Sequence, residues 1–201
     1  TYPQTEALLQ EFGPECFRVE KNSKYAIMHD KFWVFDDKKV WTGSTNINKS
    51  AVGKGYNNEI SILMESGNLS KTFEAEHAQM WAGQFHTKKV DNNEELLPKS
   101  ANGVSMEVYF SPKDNAIEKG IIPAIRDAKS SIHLSLFHFS DPNIAKEVLN
   151  AKARGVDVKL IIDATGAANA ATHANVEMLR AAGIPVKVEN WGGKMHMKSG
   201  L

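Results

Sequence analysis

The stretch "IHLSLFHFSDPNIAKEVLNAKARGVDVKLIID", Ile132 to Asp163, decides the fold. Its opening run, Ile132 to Phe139, is rich in β-forming residues and apolar on both faces in parts, as a central strand should be. Asp141 then offers an N-cap and Pro142 a first-turn proline. Ile144, Ala145, Val148, Leu149 and Ala151 recur at helical spacing, Arg154-Gly155 closes that helix, and Val156 to Asp163 is the next strand. Downstream, a helix over Asn169–Ala182 ends at Gly183, and Ile184 to Glu189 reads as a third strand. Upstream, a helix over about Asn115–Lys129 precedes the first. Strand, helix, strand, helix, strand predicts an α/β domain with a parallel sheet covered by helices.

Before this region the pattern changes. Thr5 to Gly13 is a short helix, Cys16 to Glu20 a strand, and Tyr25 to Thr42 a hairpin turning at Asp36–Lys39. Glu59 to Met64 is another strand, and Ser70 caps a helix over about Lys71–Gln84. Asp91 to Gly103, polar and broken by proline and glycine, reads as a linker.

At 201 residues, with 42% hydrophobic and 24% charged residues, the chain has the composition of an ordinary globular protein and can bury a core. No apolar run reaches the ~20 residues that span a bilayer. Lys plus Arg equals Asp plus Glu at 24 each, so no global charge draws the chain to nucleic acid or anionic lipid. Cys16 is alone, which excludes an intrachain disulfide framework and a cysteine-rich zinc site. The chain opens without methionine or a signal-peptide pattern and stops within a strand-like stretch, so it reads as a piece of a longer protein whose compartment is unknown.

Two distant segments share one order of features: "EALLQEFGPECFRVEKNSKYAIMHDK" and "VEMLRAAGIPVKVENWGGKMHMKS". Each runs helix, glycine, strand, polar turn, then His-x-Lys, and the two histidines, His29 and His196, are offset by 167 residues. In a strand, residues two apart share a face, so His29 should neighbour Lys31, and His196 should neighbour Lys198. Two such pairs converging would surround one phosphoryl group with four basic groups. The lysines would hold its oxygens, one imidazole could attack phosphorus, and the other could move protons to the leaving and attacking oxygens. No metal and no cofactor is required by that chemistry. Ser44 and Asn46, at the end of the hairpin's return strand, could reach the same oxygens. Glu59 could fix the tautomer of a histidine. Asp36, in the hairpin turn, is too far along the strand and is read as structural.

"HDKFWVFD" followed by "GSTN" resembles the phospholipase D superfamily, whose motif is His-x-Lys-x4-Asp with a later Gly-Ser-x-Asn. "VYFSPKDN", "AKSSIHLSLFHFSD", "AKARGVDVKLIID" and "NVEMLRAAGI", leading to "HMK", look like the start of a second such domain. The resemblance implies residues 1–90 as the C-terminal part of one phospholipase D-like domain, 91–104 as a linker, and 105–201 as the N-terminal part of the next. The implied fold is a mixed β-sheet flanked by helices, in two pseudo-symmetric repeats, both incomplete here. It implies His29 as the nucleophile that forms a phosphohistidine, and His196 as general acid and base. Lys31, Lys198, Ser44 and Asn46 would bind phosphate, and Glu59 would orient a histidine. The second motif's Asp would fall two residues past Leu201, so the site in this piece is expected to be incomplete.

The function implied is a hydrolase cleaving the distal phosphodiester bond of phospholipids. An endonuclease on nucleic acid or a transphosphatidylase of the cardiolipin-synthase kind is the alternative, and a scaffold without turnover is the reading from another class. A second copy of the chain is a further expected partner. Between Lys24 and Lys54, six lysines face three aspartates, a balance any phosphodiester would welcome. His133 and His138 read as core or edge histidines; His77, His86 and His173 need no special role. The tryptophans are mostly core, with Trp191 bordering the second motif.

Overall fold

A computed structural model describes residues 3–16, 27–52, 56–90, 99–101 and 103–201. In chain order the elements are α1 (Pro3–Phe12), β1 (Phe32–Phe35), β2 (Lys39–Gly43), α2 (Lys49–Val52), β3 (Asn57–Asn58), β4 (Ser61–Glu65), α3 (Gly67–Trp81), β5 (Lys99–Ala101) and β6 (Val104–Met106). There follow α4 (Ile122–Asp127), β7 (Ser131–Leu136), α5 (Pro142–Ala153), β8 (Asp157–Asp163), α6 (Ala164–Ala167), α7 (Ala170–Ala181), β9 (Val186–Glu189), β10 (Lys194–Met195) and β11 (Lys198–Gly200). The chain forms two compact units. One comprises residues 1–30, 34–39 and 65–114, the other 31–33, 40–64 and 115–201.

In the first unit, α1 ends at Gly13, whose φ of +82° is the left-handed stop that glycine supplies. The strand expected over 16–20 lies outside the described residues beyond Cys16, which itself closes a 3-10 turn. The expected linker likewise falls mostly outside them. The hairpin turn is tighter than expected: Asp36 and Asp37, at φ +51° and +53°, form the left-handed pair of a type I′ turn, and β2 begins at Lys39. Helix α3 starts four residues before the predicted Lys71 because Ser66, not Ser70, is its cap. The Ser66 Oγ accepts from the Leu69 N–H at 3.3 Å, and its own N–H donates to the Lys38 carbonyl at 2.8 Å. Ser70 is buried within the helix and turns its hydroxyl back to the Ser66 carbonyl. Leu69, Phe73, Met80, Phe85 and Phe110 make the core here, with Phe73 edge-on to Phe110 at 5.2 Å. Beside it lies a buried ion pair between Lys89 and Glu76, and the Asp30 carboxylate stands 3.8 Å from the same ammonium. Burial pushes the Glu76 carboxyl above its ordinary range, against the pull of Lys89.

In the second unit, β7, β8 and β9 are parallel, in register at Ile132 with Val158 and Ile162 with Val188. The fourth strand, β11, lies antiparallel on β7, so the sheet runs β11-β7-β8-β9 and is mixed. Val158, Leu160 and Ile162 point one way into a core with Ala145, Val148, Val176 and Leu179. At about 25 cal/mol per Å², each such burial contributes ~1.5–3 kcal/mol. The caps read from sequence are in place: Asp141 accepts from the Asn143 and Ile144 N–H groups, and Asn169 from those of Ala171 and Thr172. Strand β7 ends at Leu136, short of the predicted Phe139. The Phe139 backbone leaves the ladder to bond the Thr172 hydroxyl and the Asn175 amide. The predicted helix over 115–129 splits into a π turn, Ile117–Ile121, and the short α4. Pro123 has no N–H to continue an α ladder, which accommodates the change of pitch. Strand β3 pairs in parallel with β10, which fastens the segment 40–64 to the end of the chain. Strands β1, β2 and β4 form a three-stranded sheet in that order.

Candidate active site

Neither histidine of the two His-x-Lys pairs lies in a regular strand, contrary to the alternation expected from sequence, although Lys198 opens β11. Residues 27–31 are irregular and β1 begins only at Phe32; the Lys31 carbonyl is held by the Thr42 hydroxyl at 3.0 Å. His196 and Met197 fall in the gap between β10 and β11. Their backbone is held from two sides, the His196 N–H donating to the Asn58 carbonyl at 3.0 Å and the Phe137 N–H to the Met197 carbonyl at 3.2 Å. Hydrogen bonds from distant segments of the chain thus place the second motif.

The second unit brings Ser44, Glu59, His196 and Lys198 together. The Glu59 side chain is 6% exposed and the His196 side chain 15%. His196 Nδ1 lies 3.0 Å from Glu59 Oε1 and 3.1 Å from Oε2, so Nδ1 carries the proton it donates and Nε2 is left for chemistry. Ser44 Oγ donates to Glu59 Oε2 at 2.6 Å and accepts from the Ile60 N–H at 3.0 Å. Asn57 Nδ2 donates to Glu59 Oε1 at 3.3 Å. The carboxylate is therefore fixed on both oxygens before it meets the imidazole. Ser44, expected to reach phosphate, has its proton on Glu59 in this structure. Gly43 makes this possible: at φ +151°, its missing Cβ would stand 2.1 Å from the Ile60 carbonyl oxygen. Asn46 follows in the same loop, where its carbonyl accepts from the Asn48 N–H.

The Lys198 ammonium donates to the His196 carbonyl at 2.7 Å. Burial pushes its pKa below lysine's ordinary range; Glu59 opposes this and the Lys31 ammonium adds to it. Lys31 and Lys198 thus share one electrostatic neighbourhood. His29 belongs to the first unit, where its side chain is exposed and Asp30 beside it meets Lys89. Asp36 sits in the hairpin turn of that unit.

Two supporting residues escaped sequence reading. Asp163 closes β8, is 2% exposed, and joins two elements: Oδ1 caps α6 at the Thr165 and Gly166 N–H groups, and Oδ2 accepts from the Met195 N–H at 2.9 Å, one residue before His196. The cap was visible in "DATG"; the reach to Met195 was not. Phe137 places its ring 5.4 Å from that of His196. His133, read as a core or edge histidine, is half-exposed and meets Asp157 at 3.2 Å on the sheet. Among the described residues, no three His, Cys, Asp or Glu side chains cluster as metal ligands would, and no helix is long and apolar enough to cross a membrane.

The family model described as "Cardiolipin synthase, PLD-like domain" matches residues 4–81 and again 121–201, covering both repeats. Mitochondrial cardiolipin hydrolase of Xenopus tropicalis is 35% identical over 85 residues, which is 42% of this chain and 39% of that protein. The crystal structure of Nuc, a phospholipase D family member from Salmonella typhimurium, matches at 33% identity, covering 46% of this chain and 60% of that one, with a TM-score of 0.41. NucT from Helicobacter pylori matches at 22% identity over 43% and 58%, with a TM-score of 0.36. The chain thus spans less than two thirds of the length of each of these relatives. One family model fits both copies of the His-x-Lys segment, and the chain belongs to the phospholipase D superfamily of phosphodiesterases.

Proposed function

We propose that the protein is a phospholipase D-type hydrolase of phospholipids that works without metal, the lysines supplying positive charge. His29 Nε2 attacks phosphorus and the bond to the departing alcohol oxygen breaks, leaving a phosphohistidine. His196, as imidazolium, gives its Nε2 proton to that oxygen; it then takes a proton from water, which attacks phosphorus and breaks the P–N bond. Glu59 stabilises the imidazolium through Nδ1. Lys31, Lys198 and Asn46 hold the non-bridging oxygens, while Ser44 supports Glu59 and can turn to phosphate. The observation that carries this reading is the 3.0 Å contact of His196 Nδ1 with a buried carboxylate, which frees Nε2 for proton transfer beside a lysine of lowered pKa. The name of the 35% identical relative, a cardiolipin hydrolase, favours phospholipid over nucleic acid.

The test is turnover of phosphatidylcholine, cardiolipin and single-stranded DNA with a chelator present. Lipid turnover that is lost in His29→Asn and in His196→Asn is the expected result. Unchanged turnover in His29→Asn overturns the nucleophile, and cleavage of DNA alone makes the protein a nuclease with the same site.

A further inference from the structure

Lys89 is a buried cation outside the proposed reaction. It follows the 3-10 turn His86–Lys88, its side chain is 5% exposed, and its ammonium meets the Glu76 carboxylate of α3, a side chain 2% exposed. The Asp30 carboxylate stands 3.8 Å from the same ammonium. Helix α3 holds the segment in place. Gln79, three residues from Glu76 and on the same face, accepts from the Val90 N–H at 2.7 Å. The Lys89 N–H itself donates to the His86 carbonyl at 3.3 Å. The backbone is therefore fixed where the lysine side chain leaves it. Burial pushes the Glu76 carboxyl up and Lys89 pulls it down, with the Asp30 and Asp114 charges adding to the rise, so the four groups share one field.

A buried ion pair is a weak source of stability, because loss of hydration offsets most of the attraction. What it supplies is a charge at a fixed point. Here that point faces Asp30, one peptide bond from His29, in a segment that precedes β1 and has no strand of its own. Asp30 is half-buried while His29 is exposed, so the carboxylate is the inward member of the pair. We propose that Lys89, held by Glu76, is a positioning residue for His29: its ammonium anchors the Asp30 carboxylate and so fixes the backbone that aims the imidazole. This rests on the reading of His29 as the nucleophile. It gives a task to the residue between the histidine and the lysine, a position that His-x-Lys leaves open.

Backbone ¹⁵N relaxation of the full chain tests the anchor without turnover. The His29 amide should show an order parameter of about 0.85 in the wild type and fall below about 0.6 in Asp30→Asn, which leaves the Glu76–Lys89 pair intact. Asp30→Glu keeps the carboxylate and should keep His29 ordered. A His29 amide as ordered in Asp30→Asn as in the wild type, or mobile in both, overturns the anchor. Turnover of bis(p-nitrophenyl) phosphate reads what the anchor does. In Asp30→Asn kcat/KM should fall about 10²-fold, as misplacement of a reacting group allows, with the urea midpoint unmoved. Lys89→Met combined with Glu76→Gln removes the pair together and should give the same loss as Asp30→Asn; all three changes at once should add nothing further. Losses that multiply place Lys89 in another role and overturn the proposal, as does a loss that only tracks a lowered urea midpoint. A wild type without turnover, whose His29 is nonetheless ordered and loses that order in Asp30→Asn, sinks the catalytic reading alone.

Discussion

Glu59 serves His196, Ser44 and Asn57 at once, and its value lies in that sharing. An amide has one acceptor oxygen and no charge, so Glu59→Gln must set an NH₂ group against at least one of the donors on Ser44, His196 and Asn57 and removes the charge that holds the Nδ1 proton. We expect kcat to fall by about 10²–10⁴, the range of a lost acid–base contribution, with the histidine's ¹⁵N signals showing a mixed tautomer. Unchanged ¹⁵N signals would remove Glu59 from its orienting role. Lys198 gives a pH prediction. Its folded pKa is lowered, so the native state sheds the proton before the unfolded chain does, and stability should rise with pH across that alkaline window. Phosphate binding, which needs the ammonium, should fall over the same window, below lysine's ordinary range of about 10.4. Lys198→Arg, always charged, should move the alkaline limb of kcat/KM upward, and an unmoved limb would assign it to another group. At this scale the sequence made most residues legible, because His-x-Lys and Gly-Ser-x-Asn are local patterns. It could not tell which histidine Glu59 serves, since 137 positions separate it from His196.

The parallel strands and their helices were legible because caps and apolar spacing are local: Asp141-Pro142 and Asn169 start helices where read, and β8 fills Asp157–Asp163. What failed was whatever depends on a distant partner. Ser66 outcompetes Ser70 as a cap because Lys38 holds its N–H, and His196 leaves strand geometry because Asn58 and Phe137 hold the backbone around it. The β3–β10 pairing is the element on which the site depends most. Gly193→Ala would force a Cβ into the Tyr56 carbonyl and push these strands apart. Overpacking of this kind costs about 1–3 kcal/mol. Urea denaturation should show that loss, and turnover should fall further than stability explains, because Asn58 carries the His196 backbone. Full activity in a destabilised variant would show that the pairing holds the fold but not the imidazole.

The internal repeat, visible in sequence, has a consequence that sequence could not show. The second unit draws Ser44 and Glu59 from the first copy of the motif region, and His196 and Lys198 from the second. The buried apolar cluster around its sheet, by contrast, is drawn from residues between Ile125 and Ile184. Folding of the sheet and completion of the site should therefore separate. A polypeptide of residues 105–201 should keep the circular dichroism of a helix-covered sheet, because that cluster takes no residue from 40–64. Its His196 should lack a carboxylate partner and populate both neutral tautomers, which ¹⁵N chemical shifts of the ring distinguish. Adding residues 1–104 in trans should restore the single Nδ1–H form as β3 pairs with β10. If the isolated piece already shows that form, Glu59 does not set the tautomer; if it is unfolded, the segment 40–64 belongs to the core energetically as well as to the site.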